Sequence, residues 1–394
     1  MLRLNSIIIC LFILSSCSYH IVSVQNERAG ELNATYTLDI SAEKKFPLDD
    51  YTAPKSLYMQ ICHDSVGKRQ LALLNSYRNS IYFYNYETGD FIREIRFEKE
   101  GPNGILSLNG FYVKNMDSIY IYSKPKVELL LGDCKGHVKQ RWSLMGKGKD
   151  WYLSMPQYLP GTVCPMVEMD NHLILTGFSP FCIENEDMKN FRFTACMDLE
   201  NGQLDFHHLY PMELFEGNAN WDDPCFMKVY PCIAADGSII HSFPISHNVY
   251  VSKWDSDEAR TVYAGSNAAR TIRSIDWDYV SQHTPRELIH THILRQDLYA
   301  AMLYDPWRKA YYRFMQQGIK GATSQDQLTE KPVVVIMMDK QFNYLGETVL
   351  GTSNVWNWNN SFVTKEGLNI EYIDESDIDE QYMRFKICVP QKIN

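Results

Sequence analysis

Short stretches of alternating, β-branched or aromatic residues, each ended by a turn, recur from about residue 34 to the end of the chain. The clearest unit has three stretches, 70–75, 80–85 and 91–96, with the turn Tyr86-Glu87-Thr88-Gly89 before the third. Glycine adopts a positive φ without steric cost, which suits a tight turn between antiparallel strands. No long helical period competes with this pattern, so the sequence predicts an all-β fold.

The same unit recurs along the chain with weaker similarity. Later units begin near Phe111, His172, Cys232, Tyr299 and Phe362. Units of roughly 40 to 50 residues with about four strands each are typical of β-propellers. We therefore predict a six-bladed β-propeller over residues 34–394, with blades of about four antiparallel strands. The alternative is a two-sheet sandwich followed by a second domain, but no linker rich in Pro, Gly or Ser divides the chain.

Both ends of the repeat region look like incomplete units. The last unit, from Phe362 to Val389, lacks one strand, and the segment Thr35–Ile40 has the right composition to complete it. Pairing the N-terminal and C-terminal strands in one blade would close the ring and cover edge strands that otherwise favour aggregation. We predict this closure.

The first seventeen residues have the parts of a secretory signal peptide. Arg3 is followed by the apolar stretch Ile7–Leu14 and then by small residues. This stretch is too short for a membrane-spanning helix, which needs roughly 20 residues. Leu14-Ser15-Ser16-Cys17 resembles a bacterial lipobox, in which the cysteine receives a diacylglycerol and becomes the mature N-terminus. We predict a signal peptide over 1–17, lipidation at Cys17 and a tether over 18–33; the alternative is an ordinary cleaved signal.

The predicted location is the bacterial cell envelope. Ser18-Tyr19-His20 contains no acidic residue after the cysteine. By resemblance to lipoprotein sorting rules, this favours a lipid anchor in the outer membrane, facing the periplasm. The net charge of −10 argues against nucleic acid as a partner, because binding to phosphates needs positive charge. The same acidity disfavours adhesion to anionic lipid headgroups.

Eight of the ten cysteines follow Cys17. An even number in an exported chain permits disulfides, but none of them forms a CxxC pair. Local candidates for pairing are Cys225 with Cys232 and Cys164 with Cys182. The alternative is that these cysteines are small buried apolar residues.

Two segments resemble known propellers. The stretch from Asn75 to Gly89 is similar to a strand pair of NHL-type propellers. The stretch Leu303–Phe314 resembles a segment of uncharacterised propeller lipoproteins from Bacteroides-type bacteria, grouped as domain of unknown function 4221. With the lipobox and the chain length, this resemblance covers essentially the whole protein. It implies a six-bladed TolB-like propeller and brings no assigned activity.

The hairpin at 304–314 supplies three candidate ligand-binding residues. Pro306 suits the second position of a type I turn after Asp305. On the following strand, alternation directs Tyr312 and Phe314 to one face, and Tyr311 and Arg313 to the other. One face must be core. We consider Tyr311, Arg313 and the nearby Trp307 as ligand contacts; alternatively, Arg313 pairs with a carboxylate between two blades.

Four further candidates lie elsewhere. His290 and His292 would share one face of a strand, a spacing that can hold a metal ion, but no third ligand is evident and we predict no metal and no cofactor. Trp356 and Trp358 alternate with asparagines, a residue mixture that stacks on and hydrogen-bonds to sugars. The alternative for the two tryptophans is packing in the core or between blades.

No catalytic motif is present. The chain has no G-x-S-x-G, no HExxH, no P-loop and no G-x-G-x-x-G. We therefore expect a binding or interaction propeller of the envelope rather than an enzyme, whose partner besides the membrane is a periplasmic or surface protein or a glycan. The alternative is a propeller hydrolase or lyase that acts on a carbohydrate or a lactone. Converging carboxylates, or a His–Asp pair, at one channel mouth would favour that alternative.

Overall fold

The computed structural model describes residues 20–52, 56–179, 185–215, 217, 219–279, 282–374, 376–377 and 380–393. The predicted signal peptide, with Cys17, lies outside the described residues, as do the first two residues of the predicted tether. Cys182 also lies outside them.

Antiparallel strands are the main regular elements of the described chain. In order, they are β1 (Ser23–Val24), β2 (Tyr36–Pro47), β3 (Met59–His63), β4 (Arg69–Asn75), β5 (Ser80–Asn85), β6 (Phe91–Arg96), β7 (Gly110–Asn115), β8 (Ser118–Ser123), β9 (Glu128–Gly132), β10 (Val138–Ser143), β11 (Gln157–Tyr158), β12 (Val167–Met169), β13 (His172–Phe178), β14 (Arg192–Asp198), β15 (Leu204–Leu209), β16 (Tyr230–Ile233), β17 (Ile239–Ser242), β18 (Asn248–Ser252), β19 (Ala259–Tyr263), β20 (Ile272–Arg273), β21 (Leu298–Asp305), β22 (Ala310–Gln316), β23 (Pro332–Asp339), β24 (Tyr344–Thr352), β25 (Trp356–Thr364), β26 (Gly367–Tyr372) and β27 (Tyr382–Lys392). The α-helices are α1 (Asn185–Met188), α2 (Met212–Phe215), α3 (Pro224–Met227) and α4 (Arg286–Arg295), and 3-10 helices span Lys124–Lys126, Trp151–Ser154 and Leu328–Glu330.

The strands form six successive blades, which confirms the predicted propeller. The blades are β3–β6, β7–β10, β11–β15, β16–β19, β21–β24, and β25–β27 with β2. The third blade has an additional strand because β11 and β12 pair with different ends of β13. The three strands predicted for the first unit are β4, β5 and β6, whereas its first strand, β3, was not predicted.

The middle strands are buried on both sides, because each blade is packed between two others. In β5, Ile81 and Phe83 belong to the core shared with the second blade, and Tyr82 and Tyr84 to the core shared with the sixth. β-branched and aromatic residues suit this packing between pleated surfaces. The expectation that one face of β22 is core is therefore incomplete, since both of its faces are core.

The ring closes as predicted, by pairing of the two ends. β2 pairs with β27 from Tyr36 opposite Lys392 to Pro47 opposite Tyr382, with one bulge after Ile40. The first blade contacts this closing strand closely. Gly89 has φ +81°, and a Cβ atom on it would lie 2.5 Å from the carbonyl oxygen of Lys45. Glycine is needed there for both its conformation and its small size.

The segment predicted as a tether is attached to the propeller from residue 20 onward. β1 pairs with β20, and the Asn26 amide donates hydrogen bonds to the carbonyl oxygens of Ser266 and Ala269, at 2.8 and 3.0 Å. Leu32 is buried. The tether prediction is thus wrong for the described part of 18–33, because polar side chains there bond to a long connection of the fourth blade.

The two ends of the ring differ in the length of their connections. Successive strands are antiparallel, so connections between blades, and between second and third strands, lie on one face, which we call the long-loop face. It includes 48–58, 97–109, 144–156, 210–229 and 264–297. The opposite face, which we call the turn face, carries tight turns such as 86–90 and 306–309.

The described cysteines are unpaired. They are Cys62, Cys134, Cys164, Cys196, Cys225, Cys232 and Cys388. The candidate disulfide between Cys225 and Cys232 is therefore wrong, and the Cys164–Cys182 pairing involves a residue outside the described part. The alternative reading, small buried apolar residues, fits most of these side chains. Among the described residues, no helix is long and apolar enough to cross a membrane.

Candidate functional site

Two adjoining cavities open at the long-loop end of the central channel. Their volumes are about 560 and 490 Å³, within the roughly 300–1,000 Å³ of small-molecule sites. Both are lined by Lys228, Tyr230, Asn357 and Asn359, so they lie side by side. We refer to the pair as the mouth cavity.

The mouth cavity is built from the residues with which blades begin. Leu57 precedes β3, Asn109 precedes β7, Gly161 follows β11, Lys228 precedes β16 and Asn359 lies within β25. The first strand of every blade faces the channel, so its start brings a side chain to this mouth. Residues from five blades thus converge, although they are far apart in the sequence.

The alternation of tryptophan and asparagine in β25 determines which of these side chains line the cavity. Trp356 and Trp358 share one face, as predicted, and are 7% and 5% exposed within the core between the fifth and sixth blades. Trp358 also lines the smaller cavity. The intervening amides of Asn357 and Asn359 line both cavities. The tryptophans therefore act mainly as core residues, and the asparagines form the polar lining.

A buried hydrogen-bond network holds the cavity wall in place. Asn360 donates from Nδ2 to the Glu371 carboxylate at 2.8 Å and to the Ser56 carbonyl at 2.6 Å. The Thr162 hydroxyl donates to Asn360 Oδ1 at 2.7 Å and accepts from the backbone N–H of Met59 at 3.0 Å. The network joins the first strands of three blades across the channel. Satisfied buried networks of this kind specify one arrangement of the groups they contain.

The charged side chains that line the mouth cavity are lysines. Lys124 and Lys228 line the larger part, and Lys228 and Lys331 the smaller. No Asp, Glu or His is among the described residues that line either part. Lys331 is buried, which lowers its pKa to about 7, and its ammonium donates to the carbonyls of Ile293 and Gln296, each at 2.6 Å. Lys331 therefore caps the end of α4, whereas Lys124 and Lys228 have no ion pair with a described residue.

Two thiols line the mouth cavity, Cys164 in the larger part and Cys225 in the smaller. Burial raises the pKa of each to about 12. The thiolate is the nucleophilic form of cysteine, and it is scarcely populated at neutral pH at such a pKa. Burial raises the pKa of Tyr230 as well. These groups are neutral, and they offer weak or neutral hydrogen bonding to a ligand.

Arg313 lies away from the mouth cavity, fully buried between the fourth and fifth blades. Its guanidinium donates to the carbonyls of Ser246, His247 and Ala264 at 2.8 to 3.1 Å, and lies 4.0 Å from the ring centroid of Tyr299. Burial lowers its pKa to about 10. Arg313 therefore joins two blades, as the alternative to ligand binding predicted, but it does so through carbonyl oxygens rather than a carboxylate.

The other two candidates of the 304–314 hairpin also lie outside the mouth cavity. The Tyr311 hydroxyl accepts a hydrogen bond from the backbone N–H of Ala235 at 2.9 Å, and its ring stacks on Phe342 at 4.8 Å between centroids. Trp307 is 56% exposed in a turn of the turn face. The hairpin is thus a packing element with one exposed aromatic residue.

The expectation that His290 and His292 lie on a strand is wrong, because both lie in α4. Side chains that are two residues apart on a helix point in nearly opposite directions. Their Nε2 atoms bond separate carbonyls, of Asp326 at 2.9 Å and of Arg273 at 2.7 Å. Ile289 and Ile293 pack inward at a helical spacing, a signal too short to be recognised in the sequence. No cluster of three metal-ligating side chains occurs within the described part of the chain.

Sequence reasoning missed most of the cavity. Trp358 is the one predicted ligand-binding residue that lines it. Lys124, Lys228, Asn109 and Asn359 were not singled out, because each is an ordinary polar residue in its own sequence context. The only available signal was position, since each lies at the start of a blade or at a turn between second and third strands.

Comparison with known proteins supports the fold. Residues 35–349 match a protein family described as Domain of unknown function (DUF4221). A search among curated proteins finds no match.

The chain is similar to several solved structures. A DUF4221 family member from Bacteroides vulgatus has 18% identity and a TM-score of 0.74, over 91% of this chain and 99% of that one. A candidate exported protein from Bacteroides fragilis has 12% identity and a TM-score of 0.53, over 91% and 96%. A virginiamycin B lyase from Staphylococcus aureus has 8% identity and a TM-score of 0.43, over 87% and 98%, too low to support an argument. At these identities the first two similarities establish the fold alone.

Proposed function

The chain belongs to the DUF4221 family, whose function is unknown, and from this premise we propose that it is a cell-envelope lipoprotein whose propeller binds an acidic glycan in the mouth cavity. The observation that carries the proposal is the lining of the cavity. It combines asparagine amides with lysine ammonium groups and includes no carboxylate among its described residues.

Charge favours an anionic ligand at this position. The protein carries a net charge of −10, yet Lys124 and Lys228 line the larger part of the cavity without an ion-pair partner among the described residues. A charged hydrogen bond to a carboxylate or phosphate is roughly twice as strong as a neutral one. A cationic ligand would find no opposite charge among the described residues of the lining.

The amides and apolar groups favour a sugar. Asn109, Asn357 and Asn359 offer both donors and acceptors, which suit hydroxyl groups. Leu57, Leu159 and neighbouring aliphatic groups supply an apolar wall for the faces of a sugar ring. The arrangement of carboxylates that would favour a glycoside hydrolase is not found among the described lining residues.

Binding to neutral and acidic oligosaccharides would test the proposal. We expect the purified mature protein to bind glycans that contain uronic acid or phosphate, and to bind matched neutral glycans at least tenfold more weakly. Lys228→Ala should reduce binding at least tenfold, since loss of a charged hydrogen bond costs roughly 1.5–3 kcal/mol. Lys68→Ala, at an exposed lysine of the turn face, is the matched control. Equal binding of neutral and acidic glycans, or equal effects of the two substitutions, would contradict the proposal.

The lipid anchor needs its own test. The similarity to a candidate exported protein supports export, and the lipobox supports attachment at Cys17. In cells fed radiolabelled palmitate, we expect label in the native protein and in Cys10→Ser, but none in Cys17→Ser. Label in the Cys17→Ser protein, or none in the native protein, would exclude lipidation at this residue.

A further inference from the structure

Exposed apolar side chains are concentrated on the long-loop face. Among the described residues, seventeen large apolar side chains are exposed, and seven of these lie in the connections of this face. The turn face carries Val66 and Trp307. Prominent members on the long-loop face are Tyr51, Leu57, Tyr77, Leu106, Trp151 and Tyr152, which are 41% to 72% exposed. Clustered exposed apolar groups commonly mark a surface that contacts a partner or a membrane.

The N-terminal segment reaches the propeller on the same face. β1 pairs with β20, which lies in the long connection 264–297. His20 lies against the connection 210–229, since a Cβ atom on Gly217 would be 3.0 Å from the His20 Cβ. Ile21, next in the chain, is 40% exposed. The described chain therefore begins at the long-loop face, beside residues that carry exposed apolar groups.

The distance from this point to the candidate lipid is short. Cys17 precedes His20 by three residues, and three extended residues span at most about 10 Å. A lipid on Cys17 would thus hold the long-loop face within about that distance of the bilayer, whereas the turn face would be on the far side of the ring. The exposed residues suit this position, because tryptophan and tyrosine are enriched where headgroups meet the acyl chains.

From these observations we infer that the long-loop face lies against the bilayer surface, with Trp151, Tyr152 and Leu106 inserted at headgroup level. The inference rests on the lipid anchor proposed above. The contact is apolar rather than electrostatic, because the protein is acidic overall and its attraction to anionic headgroups is weak. The mouth cavity then opens toward the membrane, so the acidic glycan that it binds is the headgroup of a membrane lipid.

Tryptophan fluorescence offers a direct test, because the two faces each carry an exposed tryptophan. Trp151 is 43% exposed on the long-loop face and Trp307 is 56% exposed on the turn face. A mature chain with a hexahistidine tag at its N-terminus is bound to phosphatidylcholine vesicles that contain a nickel-chelating lipid. Replacing the phosphatidylcholine by its brominated form quenches tryptophans at the membrane. We expect quenching of the native chain and of Trp307→Phe, and loss of most of the quenching in Trp151→Phe.

The outcomes separate the orientation from the anchor and from glycan binding. The tag replaces the lipid, so this test does not depend on lipidation, which palmitate labelling tests alone. No quenching, or equal quenching in Trp151→Phe and the native chain, would overturn the inferred orientation even if Cys17 carries lipid and the glycan binds. A concentration-dependent dimer in analytical ultracentrifugation that Leu106→Ser and Trp151→Ser abolish would also overturn it, since a second copy would then cover the face.

Discussion

Buried neutral histidines should make the protein sensitive to mild acid. His208 and His247 are 2% and 3% exposed, and burial lowers the pKa of each from 6.5 to about 4. His241, also buried, has its ring centroid 4.4 Å from that of His208, and burial lowers its pKa too. His208 and His247 are therefore neutral in the folded protein at pH 5, whereas exposed histidines of the unfolded chain take up protons below about 6.5.

The sign and size of the effect follow from proton linkage. The unfolded state binds more protons than the folded state below pH 6.5, so stability is full above that pH and falls as the pH decreases toward 4. At pH 5, each of His208 and His247 contributes a loss of about 2 kcal/mol, from 1.5 pH units at about 1.36 kcal/mol per unit. Their sum of about 4 kcal/mol is a large part of a typical stability of roughly 5–15 kcal/mol.

Urea denaturation at pH 7.5 and pH 5.0, followed by fluorescence, measures this loss. Carboxylates contribute little in this window; the Glu366 carboxyl, with a pKa of about 2, loses its contribution only below about pH 4.5. His208→Gln should reduce the pH-dependent loss by about 2 kcal/mol, whereas His63→Gln, at an exposed position, should leave it as in the native protein. A native-protein difference below about 1 kcal/mol, or equal behaviour of the two variants, would refute the reasoning.

Two further predictions concern packing between blades. Arg313→Met should lower the free energy of unfolding by about 3 kcal/mol, because the buried carbonyls of Ser246 and Ala264 lose their donors between the fourth and fifth blades. Arg313→Lys should restore only part of this loss. Urea denaturation at pH 7.5 measures both variants, and full stability of Arg313→Met would contradict the assigned role. Gly89→Ala should lower the free energy of unfolding by at least about 1 kcal/mol more than Gly67→Ala. Both glycines have φ near +80°, but only a Cβ at position 89 meets a backbone atom. Equal thermal unfolding curves for the two variants would contradict this, and would mean that β2 shifts to accommodate the methyl group.

The repeat pattern was sufficient to predict the architecture because it follows from the core. Every blade must fill the space between two others, so apolar strands recur at intervals set by the size of a blade. The incomplete units at the two ends predicted the pairing of β2 with β27 for the same reason. The predicted alternation in β22 was also correct, since Tyr311 and Tyr312 belong to different cores.

The predictions that failed concern segments whose structure depends on distant parts of the chain. His290 and His292 were placed on a strand, but a helix forms because Ile289 and Ile293 have a core to pack against. Residues 20–33 were expected to be a tether, yet Asn26 binds carbonyls more than 200 residues away. Neither contact leaves a pattern in the local sequence.

Composition drew attention to the wrong side chains at the site. Tryptophans and an arginine were singled out from the sequence as ligand contacts. In a propeller, however, large side chains are needed for packing between blades, and Arg313 and Trp356 serve that purpose. The lining of the mouth depends instead on single polar residues near the starts of different blades, such as Asn109, Lys228 and Asn359. Each is unremarkable alone, and their chemistry exists only because the ring brings the starts of the blades together. A site in such a fold is therefore best sought by comparing the residues near the starts of all blades, which here gives amides and cations at the face that the N-terminal segment reaches.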